Sequence, residues 1–412
     1  MKIGDRCFVH GYIDEIRKDT VIIRNTGGYF GTDSVKYDAV SERWGRSDLL
    51  PMWVADMDFR TPPFVIEAIR RRLDHEVLGY TFACEAWYTS IINWQKERHG
   101  WNVTREMLTF TPGIVRGLAF ALQCFTAPGD KVMVMPPVYH PFFLVTEHNH
   151  REVVYSPLLL KDGQYQIDFE RFRADVKGCK MLILSNPHNP GGRVWTREEL
   201  AEIAEICFDN QVLVISDEIH ADLTLPGYTH PTFALVSEKA RRNSLVFMSP
   251  SKAFNMPGLA SSYCIIEDEA IRHRFQTYME ASEFSEGHLF AYLGVAAAYS
   301  NGTEWLDQAL EYIQENIDFT DEYLKTHIPA IRMIRPQASY LIFLDCRGMG
   351  VSQKELVDFF VDGAHLALND GAMFGKEGEG FMRLNVACPR SVLRQALDQI
   401  KEAYELKHDT IA

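Results

Sequence analysis

The sequence lacks any long apolar run. Nowhere in its 412 residues does a stretch approach the roughly 18 apolar residues of a membrane-spanning helix. No apolar signal core follows Met1-Lys2-Ile3-Gly4-Asp5, so a cytoplasmic protein without membrane attachment is expected. The eight cysteines form no C-x-x-C pair and no zinc spacing. That argues against a metal site or a disulfide scaffold, and for reduced thiols used as small hydrophobes. Positive charge is scarce: 42 Lys and Arg face 56 Asp and Glu, a net charge of −14. Such a chain repels phosphate polymers, and no basic segment offsets this, so a nucleic-acid partner is not expected. The run Arg70-Arg71-Arg72 falls late in an amphipathic helix pattern and reads as a solvated face. Repeats and low-complexity tracts are absent.

What remains is an ordinary globular chain, 46% hydrophobic and 24% charged. At about 150 residues per domain it has room for two or three domains. Its middle alternates short apolar strands with helices. The strands expected are Lys131–Met135, Lys180–Leu184, Gln211–Ser216, Ser244–Met248 and Tyr263–Ile266. Nearly continuous apolar runs of this length suit a parallel sheet covered by helices on both faces. Thr196 and Glu199 form a capping box, and Leu200, Ile203, Ala204 and Cys207 follow at helical spacing. The fold class is therefore α/β, built from right-handed βαβ units. A helix at about Pro63–Leu73 precedes this region. A long helix after Gly302 carries Leu306, Leu310, Ile313, Ile317 and Leu324 on one face. The C-terminal part reads as α+β, with strands at Ser339–Asp345 and Phe381–Val386 and helices at Gln353–Phe360 and from Ser391 to about Leu406. Arg6–Val9 and Thr20–Arg24 alternate like two strands of an appended hairpin, with a turn signal at Thr26-Gly27-Gly28. The expected division is 1–30 as that appended segment, 31–75 as part of a small domain, 76–305 as the large domain and 306–412 as the rest of the small one.

Ligands of open parallel sheets sit beyond the carboxyl ends of the strands. There the sequence offers, strand by strand, Tyr139 among prolines, Asn189-Pro190-Gly191-Gly192, Asp217-Glu218-Ile219-His220, and Ser249-Pro250-Ser251-Lys252. An aromatic, an amide, a carboxylate and a lysine with hydroxyls suit pyridoxal 5′-phosphate. That cofactor needs an amine for its aldehyde and a carboxylate to keep its ring nitrogen protonated. Lys252 is the candidate amine and Asp217 the candidate carboxylate. Asn189 is a donor to the ring oxygen, with His220 nearby, and Tyr139 is a stacking face. Thr111-Pro112-Gly113-Ile114-Val115 opens a helix whose first N–H groups, at Ile114 and Val115, would hold the phosphate together with Ser249 and Ser251. Arg383 offers a two-pronged partner for a substrate carboxylate.

Each residue alone has a plainer reading. Lys252 alone would be a surface lysine, Asp217 the end of a strand, Asn189 an ordinary turn residue and Arg383 a surface residue on an edge strand. His148-Asn149-His150 lacks a third metal ligand, and Gly375, Gly378 and Gly380 have no strand before them. The joint order of the set is what points to the cofactor.

That order resembles the fold-type I pyridoxal-phosphate enzymes of the class I/II aminotransferase group. The nearest likeness is to their C–S β-lyase branch, the MalY/PatB-type cystathionine β-lyases. The segments 31–38, Pro51-Met52-Trp53-Val54-Ala55-Asp56-Met57-Asp58-Phe59, 251–259 and 344–348 carry it, and it covers roughly residues 31 to 406. The resemblance implies a large domain with a mostly parallel, seven-stranded sheet and a smaller α+β domain from both chain ends. It implies β-elimination of L-cystathionine or related cysteine conjugates to pyruvate, ammonia and a thiol. It also implies a homodimer with shared active sites, in which Tyr80 reaches the partner's cofactor phosphate, and assigns Asn189 with Arg383 to the substrate carboxylate. Ala260 stands where transaminases of the group usually carry Arg, which favours the lyase branch. Transamination and a non-catalytic regulatory role are the alternatives.

Overall fold

The computed structural model describes residues 31–409 and two short strands before them, Ile16–Arg17 and Thr20–Val21. Those two pair antiparallel. Thr20–Val21 falls within the expected strand Thr20–Arg24, while the expected strand Arg6–Val9 and the turn signal Thr26-Gly27-Gly28 lie outside the described residues. The chain divides into two compact units. The larger comprises residues 61–189 and 193–306; the smaller takes 1–60, 190–192 and 307–412.

The larger unit is built on a seven-stranded sheet. Its strands are β1 (Leu108–Thr111), β2 (Lys131–Val134), β3 (Glu152–Tyr155), β4 (Cys179–Ser185), β5 (Leu213–Asp217), β6 (Ser244–Met248) and β7 (Ser262–Ile265), in the order β1-β7-β6-β5-β4-β2-β3. The run β6-β5-β4-β2-β3 is parallel. Strand β7 is antiparallel to both its neighbours, a correction to the parallel reading of Tyr263–Ile266. The cause is local: only a short loop and one 3-10 turn, Pro257–Leu259, separate β6 from β7. No crossover helix is available to bring the chain back in the parallel sense.

Helix α1 (Pro63–Leu73) starts on Pro63, where a missing N–H costs nothing. Helix α2 (Glu85–His99) ends on Gly100 in the left-handed region. Helix α3 (Ile114–Phe125) packs on the sheet through Ile114, Leu118, Ala121 and Leu122, against Ile183, Ile215, Leu245 and Phe247. The approach is close: a Cβ added at Gly117 would stand 2.5 Å from the Phe247 ring. Helix α4 (Arg197–Asp209) has both halves of its capping box, with Glu199 N–H donating to Thr196 Oγ1 (3.1 Å) and Thr196 N–H to Glu199 Oε2 (2.7 Å).

The smaller unit carries an antiparallel sheet of β8 (Arg332–Ile334), β9 (Leu341–Asp345), β10 (Asn369–Asp370) and β11 (Phe381–Asn385), in the order β8-β9-β11-β10. Leu50–Pro51 pairs in parallel with Leu366–Ala367. The segment Trp53–Asp58 is laced to β11 and its neighbours. Asn385 Nδ2 donates to the carbonyls of Val54 (2.7 Å) and Asp56 (2.6 Å), and the Tyr340 hydroxyl donates to that of Ala55 (3.0 Å). Lys36 is buried and pairs with Asp58 at 2.8 Å; Tyr37 donates to the same carboxylate at 2.9 Å.

Candidate active site

Register decides what meets at the strand ends of the larger unit. Asp217, last in β5, stands opposite Ser185 of β4 and Phe247 of β6. The three strands therefore finish in one layer, and the loops carrying Asn189, Asp217 and Lys252 leave from it side by side.

Asp217 is buried and accepts a hydrogen bond from the N–H of Ile219 at 3.1 Å. Burial pushes its carboxyl up to about 7, and the nearby Glu218 charge adds to this; the Ile219 N–H and the positive charge of Lys252 pull the other way. Lys252, half-buried in the turn after β6, is thus within electrostatic reach of Asp217. Ser249 and Ser251 are buried in the same turn. Their hydroxyl oxygens are 2.9 Å apart, and Ser251 N–H donates to Ser249 Oγ at 3.2 Å.

Asn189 is buried, its N–H donating to Ser185 Oγ at 3.0 Å. Its neighbour His188 pins the loop to the one bearing Tyr139, since Nε2 donates to the carbonyl of Pro137 at 2.7 Å. Burial drives that imidazole down to about 4, so it stays neutral. Tyr139 is half-buried, its ring edge-on to Phe142. His220 is buried just past Asp217. Ile114 and Val115 begin α3 directly after Gly113, whose φ of 106° turns the chain from β1 into the helix. Their N–H groups are among the first four of that helix, which have no partner within it.

Two further expected residues belong to other segments of the chain. Tyr80 is fully exposed in the segment between α1 and α2, beside exposed Val77, Leu78 and Phe82. Arg383 belongs to the smaller unit. It is buried on β11, an interior strand, which corrects the edge-strand reading. Its Nη2 donates to the Trp53 carbonyl and to Asn369 Oδ1, both at 3.2 Å. Sequence reasoning passed over Glu218, although it quoted the residue between Asp217 and Ile219. The clue was a second carboxylate directly after an apolar strand, where burial demands donors.

No group of His, Cys, Asp and Glu that could hold a metal occurs among the described residues. Cys84, Cys124, Cys179, Cys207, Cys264, Cys346 and Cys388 are free thiols.

Residues 47–400 match the family described as aminotransferase class I and II. The chain is 43% identical over 375 residues to cystathionine beta-lyase PatB of Bacillus subtilis, covering 90% of this chain and 97% of that one. Among solved structures it superposes on cystalysin from Treponema denticola, described as containing a pyridoxal 5′-phosphate cofactor. The TM-score is 0.90 and the identity 32%, across 95% of this chain and 100% of that one. A PLP-bound C–S lyase from Staphylococcus hominis gives a TM-score of 0.84 at 34% identity, across 93% and 96% of the two chains.

Proposed function

The chain belongs to the class I and II aminotransferase family, and on that premise we propose that it is a pyridoxal-phosphate-dependent C–S β-lyase. Its substrates are L-cystathionine and related cysteine S-conjugates, and its products are pyruvate, ammonia and a thiol. One observation carries the reading: in-register strand ends bring a buried carboxylate, Asp217, under the field of a lysine, Lys252.

The residues present fit the cofactor. Burial pushes the Asp217 carboxyl up to about 7, and a protonated ring nitrogen beside it would favour its charged form. The Ser249 and Ser251 hydroxyls and the first N–H groups of α3 suit a phosphate. Asn189 would donate to the ring oxygen with His220 beside it, and Tyr139 would cover a ring face. When bound, the cofactor supplies an electron sink that acidifies the substrate's Cα–H bond and lets a β-thiolate leave.

The protein's own part follows from chemistry at named atoms. Lys252 Nζ would hold the cofactor and, as a free amine, would take up the substrate's α-proton as general base. Asp217 would keep the ring nitrogen protonated. Arg383 receives the substrate carboxylate in a fork, with Asn189 assisting. Ala260, where transaminases of the group usually carry Arg, favours elimination over transamination.

A homodimer in the cytoplasm completes the reading. A second copy would cover the exposed Leu78, Tyr80 and Phe82, and Tyr80 would then reach the partner's cofactor phosphate. Free thiols throughout the described residues suit a reducing compartment. The test is incubation with L-cystathionine and no keto acid. Pyruvate and thiol in equal amounts support the lyase; amino transfer that needs added 2-oxoglutarate contradicts it.

A further inference from the structure

Directly behind Asp217 lies a second buried carboxylate that the proposed chemistry does not use. Glu218 is 1% exposed. Its Oε1 accepts from Ser216 Oγ (2.9 Å), from the N–H of Phe233 (2.9 Å) and from Asn186 Nδ2 (3.2 Å). Its Oε2 accepts from His230 Nε2 at 2.7 Å. A carboxylate withdrawn from water is tolerated only when donors replace that water, and here four do so.

The donors come from separate stretches of chain. Ser216 belongs to β5, Asn186 to the loop that carries Asn189, and His230 and Phe233 to the segment between β5 and β6. Backbone bonds extend the tie. Asn186 N–H donates to the Asp217 carbonyl at 2.9 Å, and Glu218 N–H donates to the Phe247 carbonyl at 2.8 Å. Glu218 therefore joins the ends of β4 and β5 through its side chain and that of β6 through its backbone N–H, in the layer from which Asn189, Asp217 and Lys252 depart.

We propose that Glu218, held by His230, is a positioning residue that fixes where Asp217 and Asn189 stand toward the cofactor. The proposal rests on the cofactor reading above. A second buried carboxylate, further along the same segment but bonded to different partners, provides the comparison. Asp222 accepts from Trp94 Nε1 (2.9 Å) and from His99 Nε2 (2.8 Å), partners outside the loop of Asn189.

The experiment compares holoenzyme of the wild type with Glu218→Gln, Ser216→Ala and Asp222→Asn. Cofactor loss on dialysis is followed by the absorbance of the bound cofactor, and each sample's urea midpoint is measured alongside. Glu218→Gln leaves an amide facing donors that need an acceptor, so it should shed the cofactor about tenfold faster or more. Ser216→Ala, the milder variant if Glu218→Gln does not fold, should move the same way by a smaller factor. Asp222→Asn should lower the urea midpoint while keeping wild-type retention. Cofactor retention in Glu218→Gln or Ser216→Ala equal to wild type would overturn the proposal. So would loss from Asp222→Asn as fast as from Glu218→Gln, because the effect would then be general destabilisation. A wild type that takes up no cofactor would overturn the underlying reading instead, and this one with it.

Discussion

Arg383 and Asn369 are register partners on neighbouring antiparallel strands, and the guanidinium donates to the amide oxygen at 3.2 Å. The same nitrogen donates to the Trp53 carbonyl, and the guanidinium lies over the Phe374 ring, 4.9 Å from its centroid. Arg383 is thus braced in advance, and in the role proposed for it this lowers the ordering cost of binding a substrate carboxylate. Arg383→Lys keeps the charge but loses the fork. It should raise KM for L-cystathionine about tenfold or more, with a much smaller change in kcat. Asn369→Ala should shift KM the same way by less. Steady-state kinetics on the two variants check both.

The Asp217 carboxyl gives a pH dependence whose sign is fixed. Its pKa in the folded, cofactor-free protein is about 7, against about 3.9 unfolded, so the folded state holds the proton more tightly. The resulting stabilisation is complete below about pH 4 and fades as pH rises to about 7. It amounts to roughly 4 kcal/mol at most. Cofactor-free wild type should therefore lose Tm across that window relative to Asp217→Asn, which lacks the titrating group. Parallel Tm curves for the two proteins would contradict this.

Lys36 is buried against Asp58 and near Asp56. Burial lowers its pKa, but the two carboxylates more than reverse that and hold the ammonium charged. Lys36→Met leaves Asp58 buried without its counter-charge and should cost about 3–5 kcal/mol. Adding Asp58→Leu should recover most of the loss. Urea unfolding of the single and double variants measures both.

Gly192 sits at φ +66°, and an added Cβ would lie 2.5 Å from Pro336 Cβ and 2.9 Å from the Ala338 carbonyl oxygen. Its own carbonyl accepts from the N–H groups of Gln337 and Ala338. Gly192→Ala therefore meets backbone strain and backbone crowding at once, and should destabilise by about 2 kcal/mol or more. Gly129→Ala, at φ +87° with nothing within 4 Å, should cost clearly less. Urea midpoints of the pair separate crowding from strain.

Much of the larger unit was legible because its strands are buried on both faces. Ser244–Met248 matches the structure end to end, and Thr196 with Glu199 marks the start of α4. The edge strand β3 was missed because its residues, Glu152 to Tyr155, are half-buried or exposed and its apolar run, Val153-Val154-Tyr155, is too short to stand out. The hairpin Leu159–Lys161 with Gln164–Gln166 has strands of only three residues, although its Asp162-Gly163 turn was readable. In the C-terminal part, Gln353–Phe360 was expected as one helix. The α-helix stops at Asp358 and continues as a wider π turn from Phe359 to Gly363, which periodicity does not foresee. Most site candidates could be named from the sequence because each follows an apolar strand. Glu218 was not singled out, because its partners Asn186, His230 and Phe233 are brought together only by the fold.

The central claim is that Lys252 holds the cofactor opposite Asp217. Borohydride reduction of the holoenzyme, followed by proteolysis and mass mapping, fixes the cofactor to the amine that carries it. The account predicts one modified peptide, with the added mass on Lys252. The same mass on another lysine, or on none, would contradict it.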